Sequence, residues 1–341
     1  MVTNISVMSG VLQAYAWGRV DGLAQWAPDA ALGPQAELWF GAHPNGTSVI
    51  VTGDEIAAHA APVLVKILAA GSPLSLQVHP NEQAITELLE TPETAQLLAD
   101  RGVKSEVLIA LEEFHVLAGL RPKNEAADLL ALGLSAPEHI SVVDALRAGD
   151  YIAAIREVLI TGLKVDADAM LAALPQSERV VMQRVVAKYP DDIGLAVAFM
   201  MQPRSLQAGE AMFVRAGCLH AYVDGLGVEV MTSSDNVLRL GLTPKHIAIE
   251  ASLASLEPTL QPIVVADCLN EASIAGIPFS VQRVQSGEVR IAKAGAIALC
   301  VSGSATSAAA GVALHAGLAA FVHEGELTLA IEGETFIARP L

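Results

Sequence analysis

Gln77 and His79 stand two apart in the stretch Leu74-Ser75-Leu76-Gln77-Val78-His79-Pro80-Asn81. Side chains on a β-strand alternate between faces, so the pair points one way, a rise of roughly 6–7 Å apart. An amide oxygen and an imidazole nitrogen at that spacing suit one borderline metal ion such as zinc, whose catalytic sites leave a position open for water or substrate. Two ligands do not complete a site, and Gln-x-His also occurs where a strand merely carries a hydrogen-bonded polar pair. The remaining ligands must come from elsewhere in the chain.

Three further charged residues interrupt apolar runs. Lys66 lies inside Val63-Leu64-Val65-Lys66-Ile67-Leu68. Burying an ammonium alone is expensive, so Lys66 either snorkels to the surface or faces a carboxylate or an anionic ligand. Lys104 and Glu106 share one face of the run from Val103 to Leu111, pointing either into a polar site or to solvent.

The elements that must position these residues fall into three blocks. Short runs rich in aromatics, punctuated by Gly, Pro and Asn, predict β structure up to Leu120, with a weak helix over 54–61 and a helical stretch over 82–100 interrupted at Pro92. A hairpin is expected to turn at Glu112-Glu113. From Arg121 apolar residues recur at helical spacing, predicting helices over 124–132, 138–148, 151–160, 167–174, 177–188 and 193–201, with Gly133, Gly149 and Pro175 as stops. His139 there has no ligand spacing. β structure resumes at Leu206, with turns at Gly209, Gly217 and Gly225-Leu226-Gly227. A helix start is expected at Thr243-Pro244. Beyond Leu260 the strands expected are 278–284, 289–293, 297–301, 319–323, and a last hairpin of 327–331 with 336–339; His315 and His323 have no same-face carboxylate partner.

Composition narrows the function classes. The 341 residues carry 20 Lys plus Arg against 37 Asp plus Glu, a formal charge of −17, which opposes a general nucleic-acid-binding surface and leaves any phosphate to local cations. Three widely spaced cysteines, Cys218, Cys268 and Cys300, fit a reduced compartment better than a disulfide framework. No secretory leader and no membrane-spanning run is read, so the expectation is a cytoplasmic protein without membrane or nucleic-acid partners.

Five motifs then align in order: Gln13-x-Tyr15-x-Trp17-Gly18; Glu37-Leu38-Trp39-Phe40-Gly41-Ala42-His43-Pro44; the Gln77/His79 stretch; Gly209-Glu210-Ala211-Met212-Phe213-Val214-x-Ala216-Gly217-x-x-His220-Ala221-Tyr222; and Ser234-Asp235-Asn236-Val237-x-Arg239-x-Gly241-Leu242-Thr243-Pro244-Lys245. The set resembles the type I mannose-6-phosphate isomerases over roughly residues 10 to 250. The resemblance implies one Zn2+ per chain held by Gln77, His79, Glu106 and His220, an active-site Arg239, and further catalytic-site residues Lys66, Lys104 and Asp235.

It also implies a mainly β fold of two cupin-type β-barrels with an inserted all-helical domain. The division expected is 1–120 plus 203–255 for the zinc barrel, 121–202 for the helical domain and 256–341 for a second barrel without metal. The activity implied is aldose–ketose isomerisation of mannose 6-phosphate and fructose 6-phosphate, by proton transfer between C1 and C2 through an enediol. Ser75, Lys66 and Arg239 are the groups expected near the phosphate, and the base is left open among a water at the metal, Asp235 and Lys104. A monomer acting on a small phosphosugar is expected.

One departure concerns the stretch Arg101-Gly102-Val103-Lys104-Ser105-Glu106, where the family usually has Lys-Pro-Glu preceded by Asn-His; a related phosphosugar therefore competes with mannose 6-phosphate as the substrate. A metallocupin dioxygenase and a non-catalytic sugar-binding cupin compete with the isomerase itself. Cys218, two before His220, has ligand spacing, although a small apolar filler is the preferred reading. His43 is read as structural, and Glu37 and Glu229 as second-sphere groups or buried partners for a cation.

Overall fold

All eight residues of the strand Val63–Ala70 are buried, as are all five of Glu106–Ala110, so these strands are covered on both faces. The computed structural model, which describes residues 4–57, 61–134 and 140–341, builds them into one of two large sheets. The first sheet has eleven strands; its main path runs from Ile263–Val265 through Ala211–Val214, Glu106–Ala110, His220–Thr232, Val63–Ala70 and Glu37–Phe40 to Val11–Gln13. The second has eight strands and is built mainly from the C-terminal segment. The fold is mainly β with an inserted helical block, as the resemblance implies.

The thirteen-residue strand His220–Thr232 organises the first sheet. Residues 220–224 of it pair with Phe114–Leu120 and with Gln77, whereas residues 225–232 pair with Val63–Ala70 and Glu106–Ala110. The expected turn at Gly225-Leu226-Gly227 is therefore a bend inside one strand. The hairpin expected at Glu112-Glu113 is also absent: Glu106–Ala110 and Phe114–Leu120 each pair with His220–Thr232 instead of with each other. Alternation in two consecutive runs cannot reveal that a distant third strand takes both.

Alternation does decide which side chains face where. Leu76 and Val78, Leu219, Ala221 and Val223, and Leu238 and Leu240 all pack into the core shared with the helical block. Val65, Ile67, Val107, Ile109, Val228 and Val230 pack into the core between the two sheets, against Ile297, Leu299, Phe321 and Phe336. The intervening residues, Gln77, Lys66, Glu106, His220, Tyr222, Glu229 and Arg239, are left on the inner face. Burying each of those large apolar side chains is worth roughly 1.5–3 kcal/mol, and this is what holds the polar face inward.

The helical block comprises Lys123–Gly133, Ile140–Ala148, Tyr151–Thr161, Ala167–Ala173, Gln176–Lys188 and Leu195–Phe199, close to the spans expected. The carboxylates of Asp150 and Asp166 cap two of these helices by accepting from Ala153 and Ala169 N–H, and Gly162 ends one in the left-handed conformation at φ 64°. His139 lies outside the described residues. The block meets the strands where a Cβ on Gly194 would sit 2.3 Å from Gly241 Cα, so both positions require glycine.

Several local expectations give way to longer-range pairing. Asn4–Ser9 and Val49–Thr52 join the second sheet, Asn4–Ser9 beside Leu318–Glu324, so residues 1–120 contribute to both sheets. The two strands expected over 278–293 are one, Phe279–Ile291, and the expected final hairpin is the single bent strand Leu327–Pro340. Gly303 and Gly333 pass each other at that bend, where any Cβ would strike the opposing carbonyl. Residues 54–57 carry no helix, with 58–60 outside the described residues, and the helix expected at Thr243 begins at Ile249. Among the described residues no helix is long and apolar enough to cross a membrane.

Candidate active site

Three adjacent strands bring the first group of side chains together. Gln77 is in register with His220 on one side and with Arg239 on the other. Directly opposed residues lie about 4.5–5.5 Å apart, so a strand of two residues, Gln77–Val78, aligns an amide, an imidazole and a guanidinium on one face. Across the cavity Trp39, Lys66 and Glu229 form a second register row on neighbouring strands.

His79, Glu106 and His220 present ligand atoms all within 4.8 Å of one another, and all three are buried. Each imidazole is oriented through its other nitrogen: Nδ1–H of His79 donates to the Asn236 carbonyl at 2.9 Å, and Nδ1–H of His220 to the Cys218 carbonyl at 3.1 Å. Nε2 of both rings is thereby turned toward Glu106, at 3.4 and 2.9 Å. A backbone carbonyl behind each ligating imidazole is the arrangement that readies Nε2 for a metal. His79 Nε2 has no hydrogen-bond partner despite burial, which costs about 1–3 kcal/mol and fits an atom meant for an ion, whereas Glu106 Oε2 is met by the Lys104 ammonium.

The electrostatics agree. Burial, with the Lys104 ammonium beside it, pushes His79 down to about 4, so its Nε2 lone pair is available at neutral pH. Burial would raise the Glu106 carboxyl, but Lys104, 3.0 Å from Oε2, and the two imidazoles hold it well below the usual carboxylate range. Tyr222 Oη–H donates to Glu106 Oε1 at 2.9 Å; burial and the neighbouring carboxylates keep the phenol protonated. The Cys218 thiol points elsewhere, toward the Leu260 carbonyl at 3.5 Å, in keeping with a filler role.

Gln77, Lys66, Lys104, Glu106, His220, Asp235 and Arg239 line one cavity of about 330 Å³ together with Tyr15, Trp17 and Trp39. His79 sits behind that wall, and Ser75 lies in an adjoining cavity of about 790 Å³ that shares Gln77, Arg239 and Lys245 with the first. Lys66 is buried between Glu229, at 2.8 Å, and Glu37, at 3.3 Å, and over the Trp39 ring. Burial alone would lower its pKa; Glu229 and then Glu37 outweigh it and raise it. Glu37 and Glu229 are thus the buried partners of a cation. Burial lowers the pKa of Arg239, although a guanidinium remains charged.

Sequence reasoning assigned nothing to Tyr222, Trp39 or Asp100. Asp100 accepts from Asp235 N–H and Ser234 Oγ, and Asn236 bonds back to the 99–102 backbone. The divergent stretch at 101–105 is therefore clamped to the Ser234-Asp235-Asn236 loop. Asp100 carried no spacing signal, because its partners lie some 135 residues away.

Comparisons with known proteins agree with this geometry. Residues 5–123 match the family model "Phosphomannose isomerase type I, catalytic domain". Mannose-6-phosphate isomerase of Salmonella typhimurium is 33% identical over 286 residues, covering 72% of this chain and 73% of that protein. The Escherichia coli mannose-6-phosphate isomerase is 31% identical over 294 residues, 74% of each chain. Among solved structures, the Salmonella typhimurium mannose 6-phosphate isomerase bound to fructose 6-phosphate and zinc superposes with a TM-score of 0.80 at 26% identity, covering 99% of both chains.

Proposed function

The chain belongs to the type I phosphomannose isomerase family, and from that premise we propose that it interconverts mannose 6-phosphate and fructose 6-phosphate with one zinc ion per chain. The observation that carries the metal is the His79–Glu106–His220 cluster, with two oriented Nε2 atoms, one of them without a hydrogen-bond partner, converging on one buried carboxylate. Gln77, in register with His220, supplies the fourth ligand. Bound there, zinc supplies Lewis-acid polarisation of sugar oxygens.

The chain's own residues do the rest. Moving a proton between C1 and C2 through an enediol needs a group to hold it and a cation to steady the developing negative charge. Asp235 and Lys104 line the cavity and hold or move the proton; Arg239, permanently charged and at the junction of the two cavities, steadies the enediolate or the phosphate. Ser75 reaches the phosphate from the adjoining cavity. Lys66, its charge balanced by two carboxylates, serves to order the inner wall. Tyr15, Trp17 and Trp39 supply the walls that exclude water.

The test is a coupled assay on purified, zinc-loaded protein, offering mannose 6-phosphate and unphosphorylated mannose in parallel and repeating both after chelation. Chelator-sensitive formation of fructose 6-phosphate from the phosphorylated sugar alone is expected. Oxygen uptake dependent on substrate, with bound iron, would overturn the reading in favour of oxygen chemistry. In the same assay Arg239→Ala is expected to retain zinc but to lose more than about fivefold in kcat/KM, a change above about 1 kcal/mol in transition-state stabilisation.

A further inference from the structure

His43 lies in the turn Gly41-Ala42-His43-Pro44-Asn45-Gly46, and its imidazole is buried edge-on against Trp39, ring centroids 5.2 Å apart at 89°. It does not reach the cavity, which explains why the motif reads as structural. Its hydrogen bonds say more. The backbone N–H of Asn45 donates to His43 Nδ1 at 3.2 Å, which assigns the lone pair to Nδ1 and the ring proton of the neutral imidazole to Nε2. That Nε2 faces Asp235 Oδ2 at 3.5 Å.

The same oxygen accepts from Asn45 Nδ2 at 2.7 Å. Asp235 therefore has Oδ2 hydrogen-bonded by Asn45 and faced at 3.5 Å by His43 Nε2, both from one turn some 190 residues earlier in the chain, while its backbone N–H is tied to Asp100. Among the described residues Oδ1 accepts no hydrogen bond, and Asp235 is about a third exposed in the cavity wall. A short carboxylate on a loop samples several rotamers; a hydrogen bond to one oxygen with a polar ring edge beside the same oxygen favours one.

We propose that His43 and Asn45 are positioning residues, which hold Asp235 by Oδ2 so that Oδ1 is presented to the sugar. The inference rests on the reading of this cavity as the isomerase site, and adds to it a specific job for the 41–46 turn. If His43 only filled space beneath Trp39, its replacement would act on folding and independently of Asp235. If it acts through Asp235, its effect must disappear once that carboxylate is gone.

The experiment is a double-mutant cycle on the zinc-loaded enzyme with mannose 6-phosphate, separating kcat from KM and measuring zinc content and thermal midpoint for each variant. His43→Leu is expected to lower kcat/KM about 10- to 100-fold, mostly in kcat, at unchanged zinc content, because small displacements of a reacting group are costly. His43→Gln, whose amide places a donor near the position of Nε2, recovers most of that loss. The exposed Asn45→Ala, which leaves the core untouched, gives a smaller loss in the same direction. In an Asp235→Asn background each of these changes is expected to shrink below about twofold.

Losses by His43→Leu and Asp235→Asn that multiply independently overturn the inference, as does a His43→Leu enzyme that loses thermal stability but no kcat. Nitrogen NMR that finds His43 as the Nδ1–H tautomer at neutral pH overturns it without reference to turnover. A zinc-loaded wild type inactive on mannose 6-phosphate overturns the functional reading first, and the inference with it; an active enzyme with additive losses sinks the inference alone.

Discussion

The two sheets face their interiors with opposite chemistry. The inner face of the first carries Lys66, Glu106, His220, Tyr222 and Glu229 above an apolar floor of Leu68, Leu108, Phe114, Val116 and Met212. The second is closed by Ile291, Ala298, Cys300, Val322, Leu327, Leu329 and Ile337, a packed apolar cluster. Both sheets use long antiparallel strands and tight glycine turns, and they share a common apolar core between them. The difference teaches that the architecture sets no chemistry: a few alternate positions turned polar convert a packed interior into a site, at a cost in stability that the neighbouring cores must offset.

That contrast can be broken where the site is most dependent on it. His79→Ala and His220→Ala are each expected to lose zinc and at least about 10³-fold in kcat/KM together, about 4 kcal/mol, as measured by metal analysis and steady-state assay. Retention of either zinc or turnover by both variants would remove the metal from the comparison. Lys66→Met tests the ion cluster: with Glu37 and Glu229 left buried and uncompensated, denaturant unfolding should show a loss of about 3–5 kcal/mol.

Leu329→Ala probes the apolar interior instead. It should cost about 2–5 kcal/mol in unfolding free energy while zinc content and kcat of the folded enzyme stay at wild-type values. A drop in kcat would show that the second sheet shapes the site. Tyr222→Phe sharpens the comparison most finely, because it deletes only the hydroxyl that orients Glu106. Zinc affinity is expected to fall about 10-fold, read by chelator competition, with little change in thermal midpoint.

Much of the site was legible in the chain. A lysine inside an apolar run, a Lys-x-Glu pair and a Gln-x-His pair break the apolar pattern, and Lys66, Lys104, Glu106 and Gln77 proved to line one cavity, with His79 behind its wall. The helical block was legible for a related reason: a 3.6-residue apolar period and its Asp, Gly and Pro boundaries are local signals. The strand pairings were far less so. Neither the addition of Asn4–Ser9 to the second sheet nor the bent course of His220–Thr232 and Leu327–Pro340 has a local signature, since register depends on partners well outside the local window.

What the sequence alone determined was the inventory: which side chains break the apolar pattern, and therefore which atoms the fold has to accommodate. Tertiary structure decided their company. It placed Gln77 between His220 and Arg239, closed Lys66 between Glu37 and Glu229, and turned His43 and Asn45 onto Asp235. The physical reason is that alternation along a strand is a property of the backbone, whereas neighbours across strands are chosen by the burial of the opposite face.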